Sequence, residues 1–334
     1  MSSLIQFTES GIYCQQGNFY IDPWQEVDRA LITHAHADHA RPNHHNYLAH
    51  HLSAPIMKLR LGDSINLQTT DYGTTTHING VKVSFHPAGH IPGSAQIRLE
   101  YKGRVCVVSG DYKMEDDGLS EAFEPVKCNE FVTESTFGLP IYQWQNQQLV
   151  YEEINEWWRK NKSENKTSVI FAYALGKAQR ILTNVDPTIG RILTHGAVEN
   201  VNEVFRSNGM KLPETYRVTK ETPKSDFTGS LIIATPASIG TPWMRKFAPF
   251  STGIASGWMM LRGTRRRKAA DRGFVLSDHA DWNGLIKAVE ATGAEKIYAT
   301  HGYSDVFSKY LQDKGMDATR VESLFEGESL DREL

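Results

Sequence analysis

Cysteine is scarce in this 334-residue chain: Cys14, Cys106 and Cys128 are few, odd in number and widely spaced. Cys106 sits in an apolar run, where a buried free thiol is the default, so a reducing, cytoplasmic setting is expected. No apolar run is long enough to span a membrane. The opening residues, Met1 to Ser10, lack a basic segment followed by an apolar one, so no signal peptide is expected. No internal repeat and no low-complexity tract is present. An overall basic excess is missing too: the formal net charge is -3, and any case for a nucleic-acid partner has to rest on local features. What remains is ordinary globular composition, 40% apolar and 22% charged, at a length that suits two domains or one large α/β unit.

The chain is organised around Thr33-His34-Ala35-His36-Ala37-Asp38-His39. The apolar run Arg29 to Thr33 before it reads as a buried strand. The histidines and Asp38 therefore lie on a loop at the C-terminal end of a strand, where α/β folds place their sites. Neutral imidazole and carboxylate are the usual ligands of zinc and related divalent ions. A polar surface loop is the plainer explanation, but His-x-His-x-Asp-His directly after an apolar strand is a specific signal.

One cluster is half a site, and the same pattern recurs. His90 follows Val81 to Phe85, Asp111 follows Arg104 to Val108, His301 follows Lys296 to Ala299, and Asp22 ends the run Asn18 to Ile21. Glycine adjoins three of these positions, as Gly89, Gly110 and Gly302. Repetition of this arrangement supports one shared site.

In chain order, Tyr47-Leu48-Ala49 reads as a strand, which separates His44 and His45 from His50 and His51 and favours solvated or structural roles for all four. Ser53-Ala54-Pro55 opens a helix with Ser53 as N-cap, and Gly62 ends it. His77 and His86 have no partner pattern, and Ile91 to Ala95 keeps side chains small, as either substrate approach or a tight turn would require. Glu134 follows the strand Asn129 to Thr133 and is either a surface turn or an acidic partner at the site. Leu149, Ile154, Trp157 and Trp158 mark one helical face, with both tryptophans packing inward. A second α/β pattern follows: strands at 169–172, 191–193 and 231–235, and helices at 176–182 and 198–205. Because His301 comes only after it, this pattern interrupts the first domain. Arg262, Arg265, Arg266, Arg267, Lys268 and Arg272 place six cations within eleven residues. Most such runs are solvated loops; the alternative is a patch that tracks phosphates, favoured here because a proposed metal site follows closely. Phe274 to His279 reads as a strand ending in a histidine, and 282–290 and 303–311 as the last helices.

The ordered ligand set resembles the metallo-β-lactamase superfamily, in which two metals sit about 3.5–4 Å apart and activate a hydroxide. The resemblance implies that His34, His36 and His90 hold the first metal and Asp38, His39 and His301 the second, with Asp111 bridging them. It makes Asp22 a bracing acceptor behind the ligand loop. The insert between Asp111 and His301 is similar to the β-CASP nuclease branch, as are Ala172-Tyr173-Ala174-Leu175-Gly176-Lys177-Ala178-Gln179 and Ser277-Asp278-His279-Ala280-Asp281. Within that branch, Ser109 to Lys113, Glu134 to Pro140 and the Arg-rich run before Gly273 look most like bacterial ligase-associated DNA exonucleases.

The implied fold is α/β: a metallo-β-lactamase αββα sandwich over residues 1–145 and 271–334, with an inserted α/β β-CASP domain over 146–270. The implied activity is metal-dependent hydrolysis of DNA phosphodiester bonds from a 5′ end in DNA repair, beside an ATP-dependent DNA ligase and a helicase. Zinc is the first expectation for the two divalent ions, and manganese suits the same carboxylate-containing set. Asp38 would orient the nucleophile, His279 would contact the scissile phosphate or protonate the leaving oxygen, and Glu134 would set the tautomer of His279. The six cations from Arg262 to Arg272 would bind the polynucleotide. Two departures matter. Ala40-Arg41-Pro42 stands where the family metal motif often continues with glycine, which bears on loop shape. His301 fills a position that is histidine in RNA-processing members and valine in one branch of DNA nucleases, so a β-CASP ribonuclease is the alternative, with a small-molecule ester or thioester hydrolase of the same fold behind it.

Overall fold

A computed structural model describes residues 3–261, 263, 270–322 and 325. The chain divides into two compact units, one built from 1–143 and 278–328 and the other from 144–277. The change of unit thus falls just ahead of His279, seven residues later than the boundary the resemblance implied.

The first unit is built from two sheets. One has the order β1 (Gln6–Thr8), β2 (Gly11–Cys14), β3 (Phe19–Ile21), β4 (Arg29–Ile32), β5 (Asn46–His50), β6 (Leu67–Thr70). Its strands β3 to β6 run parallel. The other has the order β19 (Asp317–Arg320), β18 (Lys296–Ala299), β11 (Glu130–Thr133), β10 (Arg104–Val108), β9 (Ala95–Tyr101), β8 (Val81–Pro87), β7 (Thr76–Ile78). Alternation along the strands assigns their two faces. In β10, Cys106 and Val108 join Leu31, Phe19, Val83 and Ile97 in a core shared by both sheets. Val107, between them, faces the opposite side and packs with helices α5 (Trp282–Thr292) and α6 (Ser304–Asp313) through Leu285, Val289, Phe307 and Leu311. Sheet packs on sheet, and helices cover one outer face.

Helix α1 (Ala54–Leu61) starts where the sequence placed it and ends at Gly62, whose N–H bonds the Lys58 carbonyl. Ser53 does not cap it: its hydroxyl donates instead to the Gly93 carbonyl at 2.9 Å. The small residues after His90 serve that contact, since a Cβ on Gly93 would lie 2.6 Å from the Ser53 nitrogen. All three cysteines are free and buried.

The second unit is one parallel sheet with the order β14 (Tyr216–Arg217), β13 (Ile192–Thr194), β15 (Leu231–Ala234), β12 (Thr167–Phe171), β16 (Phe250–Ala255), β17 (Arg272–Phe274). Both faces are covered, as all-parallel sheets require. Ile170 and Ala172 pack on α2 (Gln147–Ser163) and α3 (Lys177–Asn184), while Val169 and Phe171 pack with Phe227, Met244 and Phe247 on the other side. Helix α4 (Gly196–Ser207) adds Val198 to the first of these cores. Ile154, Trp157 and Trp158 form the buried face of α2, with the Trp158 indole N–H donating to the Gly229 carbonyl at 3.0 Å. Leu149 corrects the sequence expectation: it is 51% exposed in the first turn, and Val150 and Tyr151 take the inward positions. Gln179 closes the start of α3, accepting from the Gly176 N–H at 2.8 Å and donating to the Asn202 side chain at 2.9 Å. Among the described residues no helix is long and apolar enough to cross a membrane.

Candidate metal centre

The site lies wholly in the first unit. One nitrogen or oxygen each from His34, His36, His90 and Asp111 fall within 4.8 Å of one another, and so do those of His39, Asp111 and His301. Asp111 belongs to both groups. Its Oδ2 is 3.6 Å from His34 Nε2, 3.9 Å from His90 Nε2 and 3.4 Å from His39 Nε2, and its Oδ1 is 2.7 Å from His301 Nε2. Asp111 is thus the residue that the two groups share. Asp38 stands at the margin, with its Oδ2 3.7 Å from His39 Nε2, and it does not join the tight group around His301.

Hydrogen bonds behind the histidines decide which nitrogen faces the centre. A hydroxyl has one proton to give. Thr33 gives its proton to Asp22 Oδ2 at 2.5 Å, so it can only accept from His34 Nδ1, 3.1 Å away. Thr300 gives its proton to the Thr133 carbonyl at 3.0 Å, so it can only accept from His301 Nδ1, also at 3.0 Å. His39 Nδ1 donates to Asp22 Oδ2 at 2.7 Å, and His90 Nδ1 to the Asp278 carbonyl at 2.8 Å. In all four rings Nδ1 is held by a partner behind it, which leaves Nε2 as the nitrogen turned toward Asp111, and His301 Nε2 hydrogen-bonds Asp111 Oδ1 at 2.7 Å. His36 is the exception, turning Nδ1 inward, 3.2 Å from His34 Nε2 and 3.0 Å from His90 Nε2. A proton shared among these three nitrogens, or a cation in its place, can hold them this close. The His39 Nε2 atom is buried and faces the carboxylates of Asp111 at 3.4 Å and Asp38 at 3.7 Å, a gap that a cation could share. These residues fit a pair of divalent ions sharing one carboxylate.

Electrostatics agree. Burial, reinforced by neighbouring histidines, pushes His34 and His90 well below their ordinary values, which keeps them neutral. Burial also acts to lower His39, but the carboxylates of Asp111, Asp38 and Asp22 outweigh it and hold that ring well above. Burial would raise Asp111; His39, His301 and His279 overcome it, and the carboxyl lies well below the usual range. A cation held by the second group would have to displace a proton from His39.

Asp22 behaves as the bracing acceptor. It is buried, takes the Thr33 N–H at 2.8 Å on Oδ1, and takes both Thr33 Oγ1 and His39 Nδ1 on Oδ2. The glycines beside the ligands let loops meet. A Cβ on Gly110 would lie 2.6 Å from the Thr33 side chain, and one on Gly302, at φ 69°, 2.3 Å from the Ser135 carbonyl oxygen.

Glu134 is no surface turn. It is buried, accepts from the Tyr112 N–H at 2.8 Å, and brackets His279 Nδ1 at 3.1 and 2.9 Å. Asp111, Glu134 and His279 also converge within 4.8 Å. Burial would lower His279, but Glu134 and Asp111 raise it to about 10. The strand before it is shorter than its apolar residues suggest: β17 stops at Phe274, and Leu276 is apolar because it is buried in the loop that carries His279. Arg262, Arg265, Arg266, Arg267 and Lys268 lie outside the described residues, whereas Arg272 opens β17, exposed, with its guanidinium 5.9 Å over the Phe274 ring. His77 is exposed and His86 bonds Ser84 and Glu124, so neither touches the centre. Sequence reasoning missed Thr33 and Thr300 as tautomer-setting groups, the Asp278 carbonyl, and Phe325, which stacks on the His39 ring at 4.5 Å. For the threonines a signal existed, since each directly precedes a ligand histidine.

No family model matches the chain. A protein of Opitutus terrae named a probable DNA ligase is 28% identical over 93% of this chain and 30% of its own length. Cleavage and polyadenylation specificity factor subunit 3-I of Arabidopsis thaliana is 27% identical over 50% of this chain and 28% of its own length. A ribonuclease of Thermus thermophilus is 28% identical over 49% of this chain and 44% of its own length. The chain thus spans less than half the length of each of these relatives. A crystal structure of a protein of unknown function from Enterococcus faecalis shares the fold, with a TM-score of 0.61 over 88% of this chain and 78% of that one at 10% identity. Together these relatives point to the β-CASP metallo-β-lactamase family, the tie to the DNA ligase being the weaker.

Proposed function

We propose that this chain is a metal-dependent phosphodiesterase of β-CASP type that degrades DNA from a 5′ end. One observation carries the choice of a phosphodiester over a small ester: the Glu134–His279 pair converges on the same Asp111 carboxylate that joins the two candidate metal groups. A lactamase or thioesterase has no need of that pair. Bound divalent ions, zinc or manganese, would supply an activated water and neutralise charge developing on the phosphoryl oxygens. Asp38, at the rim of the second group, orients the attacking water. Glu134 holds the Nδ1 proton of His279, so Nε2 is the nitrogen that meets the scissile phosphate or protonates the leaving oxygen. The cations from Arg262 to Arg272 would bind the polynucleotide backbone.

DNA is favoured by the match to the protein named a probable DNA ligase, which runs over 93% of this chain. Work beside an ATP-dependent ligase and a helicase in repair belongs to this proposal through the likeness of Ser109 to Lys113 and Glu134 to Pro140 to ligase-associated DNA exonucleases. The second reading, an RNA-cleaving enzyme, is favoured by His301 and by relatives whose names are ribonucleases and endoribonucleases. Single strands of DNA and RNA, labelled at either end, together with a chromogenic ester, test all of this. Mononucleotide release from 5′-labelled DNA is the expected result. Internal cuts in RNA favour the second reading, and ester turnover without either overturns both.

A further inference from the structure

A second histidine cluster stands at the ends of the two neighbouring strands. His50 is the last residue of β5 and pairs in parallel register with Thr70, the last residue of β6. His51 and Asp71 are the next residues of each strand, and the His51 N–H bonds the Thr70 carbonyl at 3.1 Å. One nitrogen or oxygen from each of His50, His51 and Asp71 lies within 4.8 Å of the other two. We propose that His50, His51 and Asp71 form a third divalent transition-metal site, for zinc or an ion of similar preference, separate from the Asp111 centre.

The donors suit that ion: two imidazoles and one carboxylate, with the remaining position open to water. The ligands divide into one fixed and two adaptable. His50 is 1% exposed, and its ring stacks on Tyr72 at 3.6 Å and 15°, while the Tyr72 hydroxyl donates to the Ser94 carbonyl at 2.8 Å. Its Nε2 is buried without a hydrogen-bond partner. Its Nδ1 meets the Leu52 N–H only at 3.4 Å, too long to set the tautomer, so either nitrogen can offer a lone pair. Burial keeps this imidazole neutral, lowering it to about 4, so a metal faces little competition from protons there near neutral pH. His51 and Asp71 are 49% and 73% exposed and bond each other at 2.6 Å, Nδ1 to Oδ1. Binding replaces that one shared proton with the ion, and both side chains are free to swing onto it from solvent. Two exposed ligands make this site weaker than the Asp111 centre and exchangeable.

The test counts metal. Full-length protein is stripped with a chelator, titrated with zinc or cobalt, and assayed for equivalents bound by calorimetry and elemental analysis. The double variant H51Q/D71N changes only exposed side chains. It should bind one equivalent fewer than wild type and keep wild-type hydrolytic activity. In the H34A/D111A background the outer equivalent should remain and then disappear on adding H51Q/D71N, with affinity falling at least about tenfold. Equal equivalents in wild type and H51Q/D71N overturn the proposal. A failure of the Asp111 centre reads differently, as equal equivalents in wild type and H34A/D111A. Should H34A/D111A not fold, the comparison of wild type with H51Q/D71N still decides.

Discussion

Asp22→Asn is the most informative single change, because it leaves volume unchanged and reverses one atom's role. Oδ2 of Asp22 accepts from Thr33 Oγ1 at 2.5 Å and from His39 Nδ1 at 2.7 Å. Asparagine keeps the acceptor that takes the Thr33 N–H but puts an amide donor against both of the others. His39 must then move its proton to Nε2, the atom that faces Asp111, or leave its place. Thr33 loses the acceptor that fixed its hydroxyl proton and must turn that proton elsewhere, so the hydroxyl that holds His34 Nδ1 at 3.1 Å is no longer fixed and one substitution unsettles a candidate ligand in each metal group. Hydrogen bonds to a charged group contribute about 1.5–3 kcal/mol each, so removing two costs about 3–6 kcal/mol before relaxation. Removing the groups that brace metal ligands typically lowers affinity about 10–100-fold. Urea unfolding of metal-free protein and zinc titration of the same samples measure the two effects. Wild-type stability together with wild-type affinity in Asp22→Asn would refute the assignment of Asp22 as the group that sets these tautomers.

Three further outcomes are expected. His34→Ala or Asp111→Ala should abolish hydrolysis and lower bound metal by elemental analysis; full activity in either would remove the site assignment. Glu134→Gln should lower turnover with metal content near wild type. In metal-free protein it should also remove a pH dependence: the His279 value is raised from 6.5 to about 10, so stabilisation by the Glu134 pair is complete below about 6.5 and is lost as pH rises through about 10. Unfolding midpoints across that window should fall in wild type and stay flatter in the variant. Neutralising Arg262, Arg265, Arg266, Arg267 and Lys268 should raise KM for long single-stranded DNA and flatten its salt dependence by about one log–log unit for each phosphate no longer held, while a minimal phosphodiester is cleaved as before. An unchanged KM and salt slope would make the run a solvated loop.

The candidate ligands were legible because most stand on loops just after an apolar strand, and a strand can be read from a few consecutive residues. His34, Asp111 and His301 were found this way, and so was Glu134, although the sequence left it balanced between surface and site. What orients them was not legible. Thr300 sets the tautomer of His301 only because its proton is taken by the Thr133 carbonyl, 167 residues away in sequence. The Asp278 carbonyl behind His90 is equally remote, at a separation of 188. Backbone acceptors carry no residue signature, so no pattern of side chains announces them. The errors have similar causes. Leu149 stands five residues before Ile154, off the helical period that Val150, Ile154, Trp157 and Trp158 keep, and so it faces outward. Leu276 is apolar for burial alone, which periodicity cannot distinguish from a strand.

Strand direction explains why so much chemistry collects in one place. β3, β4, β5 and β6 are parallel, so Asp22, His34, His50 and Asp71 all leave the same edge of the first sheet. β10, β11 and β18 are parallel as well, so Asp111, Glu134 and His301 leave one edge of the second. β8 runs antiparallel to β9 and β9 antiparallel to β10, which turns His90 out at that edge too. The shared core between the sheets is made by residues further back along these strands, such as Leu31, Phe85, Val108 and Val132. Ligand loops and core are therefore adjacent in sequence but separate in energy. A ligand change such as His34→Ala removes ring contacts with His36, His39 and His90, none of which belongs to that core. Loss of metal without loss of the sheets is the behaviour this separation requires. Asp22 differs because its bonds cross from the end of β3 to the end of β4, tying the edge of the sheet itself to the orientation of the ligands.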